Sequence, residues 1–503
     1  MNNRSLLRTS IVLLLSLVFI FGTVACSEED NTESLMEKVA SLQQEAEENA
    51  ALIESLQSEA EEHREKIEAL ESELEKRDPN RYDFYITLGT MPTLYATMNA
   101  YAQKNPNTYM WFLRGNTISF EYSDATIRYF DTQSETSDNS IIDYTVIREQ
   151  VKSILKKNPN ATFHLYCDDS RVRLIPDIFI AAGVDFDDLQ VTLLLDGTSS
   201  YANFSKLTDA AYVTHIAQWE QILQEYEEGR GDPSFESIYP QDGQATEMRM
   251  LAYYLSTYDN VEIWAQNPEY LTNRGEIVTA SLQSEMNIVK KDPTAMYLAL
   301  DEATRDAYQK AVLANALVDS DTLLTLEDAA NYFDGMLKGR DKDVVIILGT
   351  DKQSLAENKF YMEATLAYYT PTRDPFNATK VRYKGVEYTV NASATEISVD
   401  GRDLEIGKLG AYLFFKAHPS YPAKQSLTEY FEEKGIVLLP HKAPVEVLLL
   451  MYDVKCGGYQ STSYLSTRQG QTEFFYEEPT TEAILLMKEM GFFDGASVFI
   501  SGK

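Results

Sequence analysis

The sequence predicts an α/β protein with two Rossmann-like domains that face each other across a cleft. Short apolar runs alternate with helical patterns from Tyr82 to Leu195, and a similar series runs from Asn260 to Lys455. Each apolar run has the length of one buried strand, and each helical pattern can form the crossover that parallel strands need. The chain from Arg81 onward is long enough for two domains of ordinary size.

The first predicted domain spans residues 81–256. Its strands and helices alternate, which favours βαβ units and a parallel sheet. The strands are expected at Tyr82–Leu88, Thr108–Leu113, Ala161–Tyr166 and Leu189–Leu195, and the helices at Pro92–Lys104, Thr145–Lys157, Ile175–Ala182 and Leu207–Tyr226.

The second predicted domain spans residues 257–478. Its strands are expected at Asn260–Trp264, Asp343–Leu348, Leu413–Lys416, Ile436–Leu439 and Val454–Lys455. An insertion near 378–408 has period-two alternation, and Lys384-Gly385 and Asp400-Gly401 have the composition of hairpin turns. We therefore expect a small antiparallel insertion, and its simplest interpretation is a surface hairpin without a function of its own.

The first 25 residues have the pattern of a signal peptide. Arg4 and Arg8 precede an apolar run at Ile11–Phe21 that is short for a membrane span. The sequence Thr23-Val24-Ala25 then leads to Cys26, a thiol that could be acylated after cleavage. This pattern resembles a bacterial lipobox and predicts an extracytoplasmic lipoprotein anchored to the cell membrane through Cys26. The alternative is an ordinary cleaved signal followed by a chance cysteine.

Residues 26–80 are predicted to be a linker and a coiled-coil stalk. Apolar residues recur at alternating spacings of four and three, with Asn49 and His63 as polar interruptions. Asp78-Pro79-Asn80 is expected to end the helix. The stalk could associate with a second copy, although the two interruptions are also compatible with a single solvated helix.

Charge and cysteine content exclude two other classes of protein. The formal net charge is −34, so nucleic acid is a poor partner because phosphate contacts need Lys and Arg. After Cys26 only Cys167 and Cys456 remain, which is not a disulfide framework. We expect both to be free thiols in different domains.

Four short motifs follow one another in the predicted domains. They are Leu195-Asp196-Gly197-Thr198, Lys416-Ala417-His418-Pro419, Val445-Glu446-Val447-Leu448 and Gly457-Gly458-Tyr459-Gln460-Ser461-Thr462. In residue type and order they resemble the motifs of bacterial sialyltransferases of the Pasteurella type, glycosyltransferase family 80. The resemblance implies the GT-B fold and a closing helix and strand near Leu486–Phe499, so that residues 479–503 would complete the first domain.

The resemblance implies an inverting transfer of sialic acid from CMP-sialic acid to a sugar hydroxyl, with no metal. Asp196, at the end of a predicted strand, would take the proton of the acceptor hydroxyl as general base. His418 would donate a hydrogen bond to the departing phosphate. Without the resemblance, the simpler interpretations are a loop Asp that caps the next segment and a structural His before a proline.

Further residues would hold the donor. Lys416 would add positive charge, Glu446 would accept from the ribose hydroxyls, and the two glycines of the fourth motif would let the backbone approach the phosphate. The whole predicted donor set is Lys416, Pro419, Glu446, Gly349, Gly457, Gly458, Ser461, Thr462 and Arg114. Each has a structural alternative, such as a strand-end Lys, a helix-start Glu, a glycine turn or a surface Arg.

The acceptor side departs from the family. The acidic residue that precedes the base is Leu195 here, and the family's acceptor-side His falls near Asp168 and Asp169. The family's acceptor Trp falls near Gln353, and Ser420 stands where an Arg can follow the His-Pro pair. The acceptor therefore differs from the family's galactoside, or transfer has been lost.

Two non-enzymatic functions stay open. One is a surface lipoprotein that binds a sialylated glycan or a nucleotide in the same cleft, and the other is a solute-binding protein with two α/β lobes. Asp185-Phe186-Asp187 has the form of a metal-binding Asp-x-Asp motif, but its place between a helix and a strand favours a polar turn.

Overall fold

A computed structural model describes part of residues 37–64, and then residues 78–112, 126–127, 144–195, 200, 204, 209–228, 247–266, 268, 287–316, 326–349, 354–399, 401–418, 423–440, 443, 445–457, 472–477 and 497–501. The chain divides into two compact units, Met1–Asp78 and Pro79–Lys503. None of the helices in the described part of the chain combines the length and apolar character needed to cross a lipid bilayer.

The first unit is helical in its described residues between 37 and 64. Leu42, Ile53 and Leu56, three members of the predicted heptad seam, are exposed. The coiled-coil pairing stays a prediction, and the predicted signal peptide and Cys26 lie outside the described residues.

The second unit begins with a seven-stranded sheet in which all neighbouring strands are parallel. Its spatial order is β3-β2-β1-β4-β5-β6-β7. The strands are β1 (Arg81–Thr87), β2 (Thr108–Phe112), β3 (Thr126–Ile127), β4 (Thr162–Asp168), β5 (Leu189–Leu194), β6 (Val261–Ala265) and β7 (Asn287–Lys290). The strand order reverses direction between β1 and β4, where open sheets of this kind bind ligands.

Helices cover both faces of this sheet. They are α1 (Thr90–Gln103), α2 (Thr145–Lys157), α3 (Asp209–Glu227), a π-helical turn at Ile175–Ile180 and a helical segment at 247–257. In α2, Ile147, Val151 and Ile154 recur at helical spacing and are buried with Phe84 and Leu165 of the sheet. The opposite face packs Tyr85 and Tyr166 against α1.

A second parallel sheet follows, with the order β15-β14-β8-β16-β17-β18. Its strands, in chain order, are β8 (Asp343–Leu348), β14 (Ala411–Lys416), β15 (Val437–Leu438), β16 (Lys455–Gly457), β17 (Thr472–Glu477) and β18 (Ser497–Ser501). The remaining helices are α4 (Pro293–Ala299), α5 (Glu302–Ala316), α6 (Leu326–Leu337), α7 (Leu355–Tyr369), α8 (Gln425–Lys434) and α9 (Val445–Met451). The switch point of this sheet lies between β8 and β16.

The strand pairing corrects the predicted division at residues 256 and 257. β6 and β7 pair with β5 and with each other, so they belong to the first sheet. β18 pairs with β17 in the second sheet, so this strand does not complete the first domain. An apolar run indicates a strand, but its residue types do not say which sheet edge it joins.

The two sheets are linked through the helices between them. Tyr308 and Val312 of α5 and Val447 of α9 share one apolar cluster with Leu94 and Met98 of α1. Because these side chains are 2% exposed or less, the cluster favours a fixed arrangement of the two lobes.

The insertion contains antiparallel strands, which pair as β11-β10-β9 and β12-β13. These strands are β9 (Thr372–Arg373), β10 (Lys380–Tyr383), β11 (Val386–Thr389), β12 (Glu396–Val399) and β13 (Arg402–Glu405). Lys384 and Gly385 connect β10 to β11 with φ angles of 50° and 74°, as a two-residue hairpin turn requires. Val381, Tyr383, Ile397 and Leu409 give this β module a small core of its own.

Candidate active site

The predicted site residues fall into two groups. Lys416, His418, Glu446, Gly349 and Gly457 are described by the structure. The others lie outside the described residues; they are Asp196, Pro419, Gly458, Ser461, Thr462 and Arg114.

Most of the described site residues gather at the carboxyl edge of the second sheet. Lys416 pairs in register with Leu348 at the end of β8, and Gly457 pairs with Ile347. Gly349 follows β8, and its backbone N–H donates to the carbonyl oxygen of Lys416 over 2.8 Å. The predicted donor residues therefore flank the switch point, where a ligand would be expected in a sheet of this order.

Gly349 allows a close approach of β8 to β14. A Cβ atom placed on it would lie 2.9 Å from Phe415 Cζ and 3.1 Å from both Ala417 Cα and Lys416 O. These distances are shorter than ordinary side-chain contacts, so the residue is needed for backbone packing beside the predicted site.

Lys416 has a largely buried side chain whose ammonium group has no acceptor among the described residues. Its side chain is 8% exposed, and no described residue accepts a hydrogen bond from its ammonium group. Burial lowers the pKa of Lys416 from 10.5 to about 8, although the nearby charge of Glu446 acts in the opposite direction. A buried ammonium without an acceptor is unfavourable, so an anionic ligand at this position would be strongly stabilised.

Glu446 lies near this ammonium group in space, and His418 lies near it in the sequence. Glu446 is 5% exposed and lies in the first turn of α9. His418 is half-buried and follows Lys416 by two residues, beyond the last residue of β14. The edge thus combines a cation, a carboxylate and an imidazole with loop backbone, which is a set of groups suited to a nucleotide phosphate and its ribose.

At the carboxyl edge of the first sheet, Asp168 has a structural role. Its carboxylate accepts from the backbone N–H groups of Leu88 and Gly89 over 2.8 and 2.7 Å. Burial raises the pKa of Asp168, and the two N–H donors oppose that change. The carboxylate joins β4 to the start of α1 across the switch point, so it occupies the region where the resemblance would place an acceptor-side His.

Asp169, directly after β4, holds Ser200. It accepts a hydrogen bond of 2.6 Å from Ser200 Oγ, and both side chains are buried. Ser200 comes four residues after Asp196 in the sequence. Ser200 therefore lies beside the carboxyl end of β4.

A buried charge cluster near this edge is not evident from the sequence. Arg173 and Asp177 form an ion pair of 2.9 Å at i,i+4 spacing. Glu247 is 6% exposed, and burial raises its pKa to about 8 although Arg171 and Arg173 oppose the change. The i,i+4 spacing alone could have indicated the first pair, but no local pattern connects it to Glu247, which is distant in the chain.

A polar network crosses the middle of the first sheet. Arg81 donates to His164 Nδ1, so His164 Nε2 donates to Thr192 Oγ1 over 2.7 Å, and Thr192 donates to Glu262. Burial, with help from the charge of Arg81, lowers the pKa of His164 to about 3. This neutral histidine has partners at both ring nitrogens, so its role is structural.

The remaining sequence predictions concern metal and thiol chemistry. The prediction of two free thiols is confirmed, since Cys167 and Cys456 are both buried and free. Asp185 accepts from the backbone N–H of Asp187, as in a polar turn. Within the described residues, no group of three His, Cys, Asp or Glu side chains is arranged to hold a metal ion.

These observations define a class of protein with two parallel α/β sheets and ligand-binding groups at the carboxyl edge of the second. Among solved structures, the chain is similar to the α/β-galactoside α-2,3-sialyltransferase of the luminous marine bacterium Photobacterium phosphoreum, with a TM-score of 0.53 and 14% identity. That match covers 84% of this chain and 99% of the other.

The chain is also similar to the 2,6-sialyltransferase of Vibrionaceae Photobacterium sp. JT-ISH-224, solved with the donor product CMP and the acceptor substrate lactose. The TM-score is 0.53 and the identity 12%, over 83% of this chain and 78% of the other. No protein-family model matches the chain, and no curated protein matches it in sequence. The likeness therefore shows a shared fold, the two-sheet fold of the Photobacterium sialyltransferases.

Proposed function

We propose that the protein is an inverting glycosyltransferase that moves sialic acid from CMP-sialic acid to a sugar hydroxyl. The observation that carries this proposal is the largely buried Lys416, whose ammonium has no acceptor among the described residues and which lies two residues before His418 at the switch point of the second sheet. The two Photobacterium proteins support the choice of reaction, because both are named as sialyltransferases and one was solved with CMP and lactose.

The proposed reaction needs a base and a stabilised leaving group. The acceptor oxygen attacks the anomeric carbon of the sialyl group, and the bond from that carbon to the CMP phosphate oxygen breaks. The phosphate keeps the electron pair, and the acceptor proton passes to the carboxylate of Asp196. His418 donates to the departing phosphate and Lys416 offsets its charge. A positioned base contributes roughly 10²–10⁴-fold to such a transfer.

The other predicted donor residues have supporting roles in this proposal. Glu446 accepts from the ribose hydroxyls. Gly457 and Gly458 let the backbone approach the phosphate closely. Ser461 and Thr462 donate hydroxyl hydrogen bonds to the phosphate. Gly349 allows the close packing of β8 against β14 beside the phosphate. Pro419 fixes the backbone after His418, and Arg114 lies near the sialyl group. The reaction needs no metal ion.

The protein's proposed location is outside the cytoplasm, where Cys26 would anchor it to the cell membrane as a lipoprotein. Its proposed partners are a nucleotide sugar, a glycan acceptor and the membrane, with self-association through the stalk. Because nucleotide sugars are made in the cytosol, an enzyme at this location would take its donor from the surroundings.

One observation favours a second function, a non-catalytic lipoprotein that binds a sialylated glycan or nucleotide in the same cleft. Asp168 is bonded to the backbone of Leu88 and Gly89, at the place where the family has its acceptor-side His. A protein without this acceptor-side histidine could still bind the nucleotide and have no transferase activity.

The test is incubation of the whole chain with CMP-sialic acid, with and without lactose. We expect CMP release that His418→Ala and Asp196→Asn abolish. His215→Ala and Asp188→Asn, which change the same residue types outside the predicted site, should leave it intact. Binding of CMP without turnover would select the binding protein, and the absence of both binding and turnover would contradict the site itself.

A further inference from the structure

A cavity of about 720 Å³ lies at the amino edge of the second sheet, at the opposite end of the strands from Lys416 and His418. Asp343 and Lys455, the first residues of β8 and β16, form part of it. The lining also includes residues 337–342 at the end of α6, residues 451–453 at the end of α9, and residues of the β module at 396, 403–405 and 408–410. Its size is typical of pockets that hold small organic ligands.

Ion pairs hold the walls of this cavity in place. Asp343 accepts from Lys384 of the β module over 2.8 Å and from Lys455 over 2.9 Å. Arg340 donates to the carbonyl oxygens of Gly335 and Met336, and its guanidinium lies 5.2 Å from the centre of the Tyr412 ring. The β module is thereby fixed to the sheet, so a ligand would find the walls already ordered.

Four charged side chains around the cavity have no partner within the described residues. They are Lys342, Glu396, Asp403 and Asp453. Three free carboxylates repel an anion, and the lysines of the lining repel a simple cation. A neutral polyhydroxyl ligand suits both signs, because its hydroxyls donate to carboxylates and accept from an ammonium group. Leu404 and Met451, both partly exposed, offer apolar surface for the C–H faces of sugar rings.

We propose that this cavity is a second carbohydrate-binding site that takes a neutral oligosaccharide. It is separate from the proposed transfer site, because the two lie at opposite ends of the same strands. The β module is then one wall of a binding site rather than a surface hairpin without a function. The proposal goes beyond sialyl transfer and does not require it.

The test is saturation-transfer NMR on the whole chain with lactose, cellobiose and chitobiose as probes. We expect at least one disaccharide to bind, and Asp403→Ala/Asp453→Ala to weaken its binding about tenfold or more. Both carboxylates are exposed, so the double variant should fold, which thermal unfolding would check. Asp188→Ala/Glu433→Ala, which removes two exposed carboxylates elsewhere, is the matched control.

A separate arm distinguishes this site from the proposed transfer site. His418→Ala should leave disaccharide binding at the cavity unchanged, and Asp403→Ala/Asp453→Ala should leave CMP binding unchanged. Binding that is lost in His418→Ala and kept in the double carboxylate variant would overturn the proposal. So would the failure of all three disaccharides to bind the unmodified protein.

Discussion

The carboxyl edges of the two sheets both carry charged side chains that are largely buried, but the two edges differ in whether those charges have partners. In the first sheet, two backbone N–H groups satisfy Asp168, and Asp177 pairs with Arg173. In the second sheet, the side chain of Lys416 is largely buried and its ammonium has no acceptor among the described residues. A satisfied buried charge holds elements together, whereas an unsatisfied one weakens the empty protein and favours a ligand of opposite charge.

This difference separates structural residues from ligand-binding ones, although both sets occupy corresponding edges. It predicts that removal of the charge at the first edge destabilises the protein. At the second edge, removal should stabilise the protein and abolish ligand binding. The following variants test that contrast.

The largest expected effect is at Asp168. Asp168→Ala leaves the N–H groups of Leu88 and Gly89 without their acceptor in a buried site, so we expect a loss of about 3 kcal/mol or more in the free energy of unfolding. Denaturant unfolding would measure it. Asp188→Ala, which removes an exposed carboxylate, should change stability by less than about 0.5 kcal/mol. An equally small effect at Asp168 would mean that the carboxylate does not brace the edge.

The second effect has the opposite sign. Lys416→Met keeps the volume of the side chain and removes the buried charge. The decrease in pKa from 10.5 to about 8 corresponds to roughly 3 kcal/mol, so we expect stabilisation of up to that size at pH 7 in the absence of ligand. Calorimetric titration with CMP should show that the same variant has lost most of its affinity. A variant that is destabilised would indicate that Lys416 is satisfied after all.

The pH dependence gives an independent check of this variant. The folded protein binds the proton of Lys416 less tightly than the unfolded chain does. The destabilising contribution is therefore fully present below pH 8 and disappears as the pH rises from about 8 to 10.5. The stability advantage of Lys416→Met over the unmodified protein should shrink across this range. An advantage that stays constant to pH 10.5 would contradict the assignment.

A smaller effect is expected where the second edge depends on shape. Gly349→Ala places a methyl group 2.9 Å from Phe415 Cζ, and overpacking of this kind costs about 1–3 kcal/mol. Thermal unfolding would measure the loss, and CMP affinity should fall because the strand that carries Lys416 is displaced. Gly407→Ala is the control, since a Cβ there meets nothing within 4 Å. Equal stability of the two variants would show that β8 and β14 can separate at no cost.

The sequence predicted the strands and helices better than their assembly. Apolar runs at Tyr82–Leu88 and Asp343–Leu348 correspond to β1 and β8, because burial on both faces requires such runs. The same reasoning placed Asn260–Trp264 in the wrong sheet. Pairing between strands distant in the chain leaves no local pattern, so the division between the sheets could not be predicted from those residues.

The site shows the same limit. Motif order predicted Lys416, Glu446 and His418, and the structure brings Glu446 close enough to Lys416 to raise the pKa of that lysine against the effect of burial. Motif order could not predict that Asp168 accepts hydrogen bonds from Leu88 and Gly89, since that contact joins residues about eighty positions apart in the sequence. Partners of buried charges depend on the fold, whereas the residue types of a motif can be recognised locally.

The smallest expected effect concerns the partly exposed ion pairs of Asp343, which lie at the other edge of the second sheet. Burial alone would raise the pKa of Asp343, but hydrogen bonds from Lys384 and Lys455 keep it below its usual value. The stabilising contribution is therefore present above the ordinary pKa of 3.8 and is lost as the pH falls below it.

Because the three side chains are partly exposed, Asp343→Asn should cost no more than about 1 kcal/mol at pH 7. Urea unfolding at pH 7 and near pH 3 would measure the difference from the unmodified protein, which should decrease at the lower pH. High salt should reduce it as well, whereas the effect of Asp168→Ala should persist because its contacts are buried. If the Asp343→Asn difference is the same at both pH values and in high salt, the ion pairs do not fix the β module to the sheet.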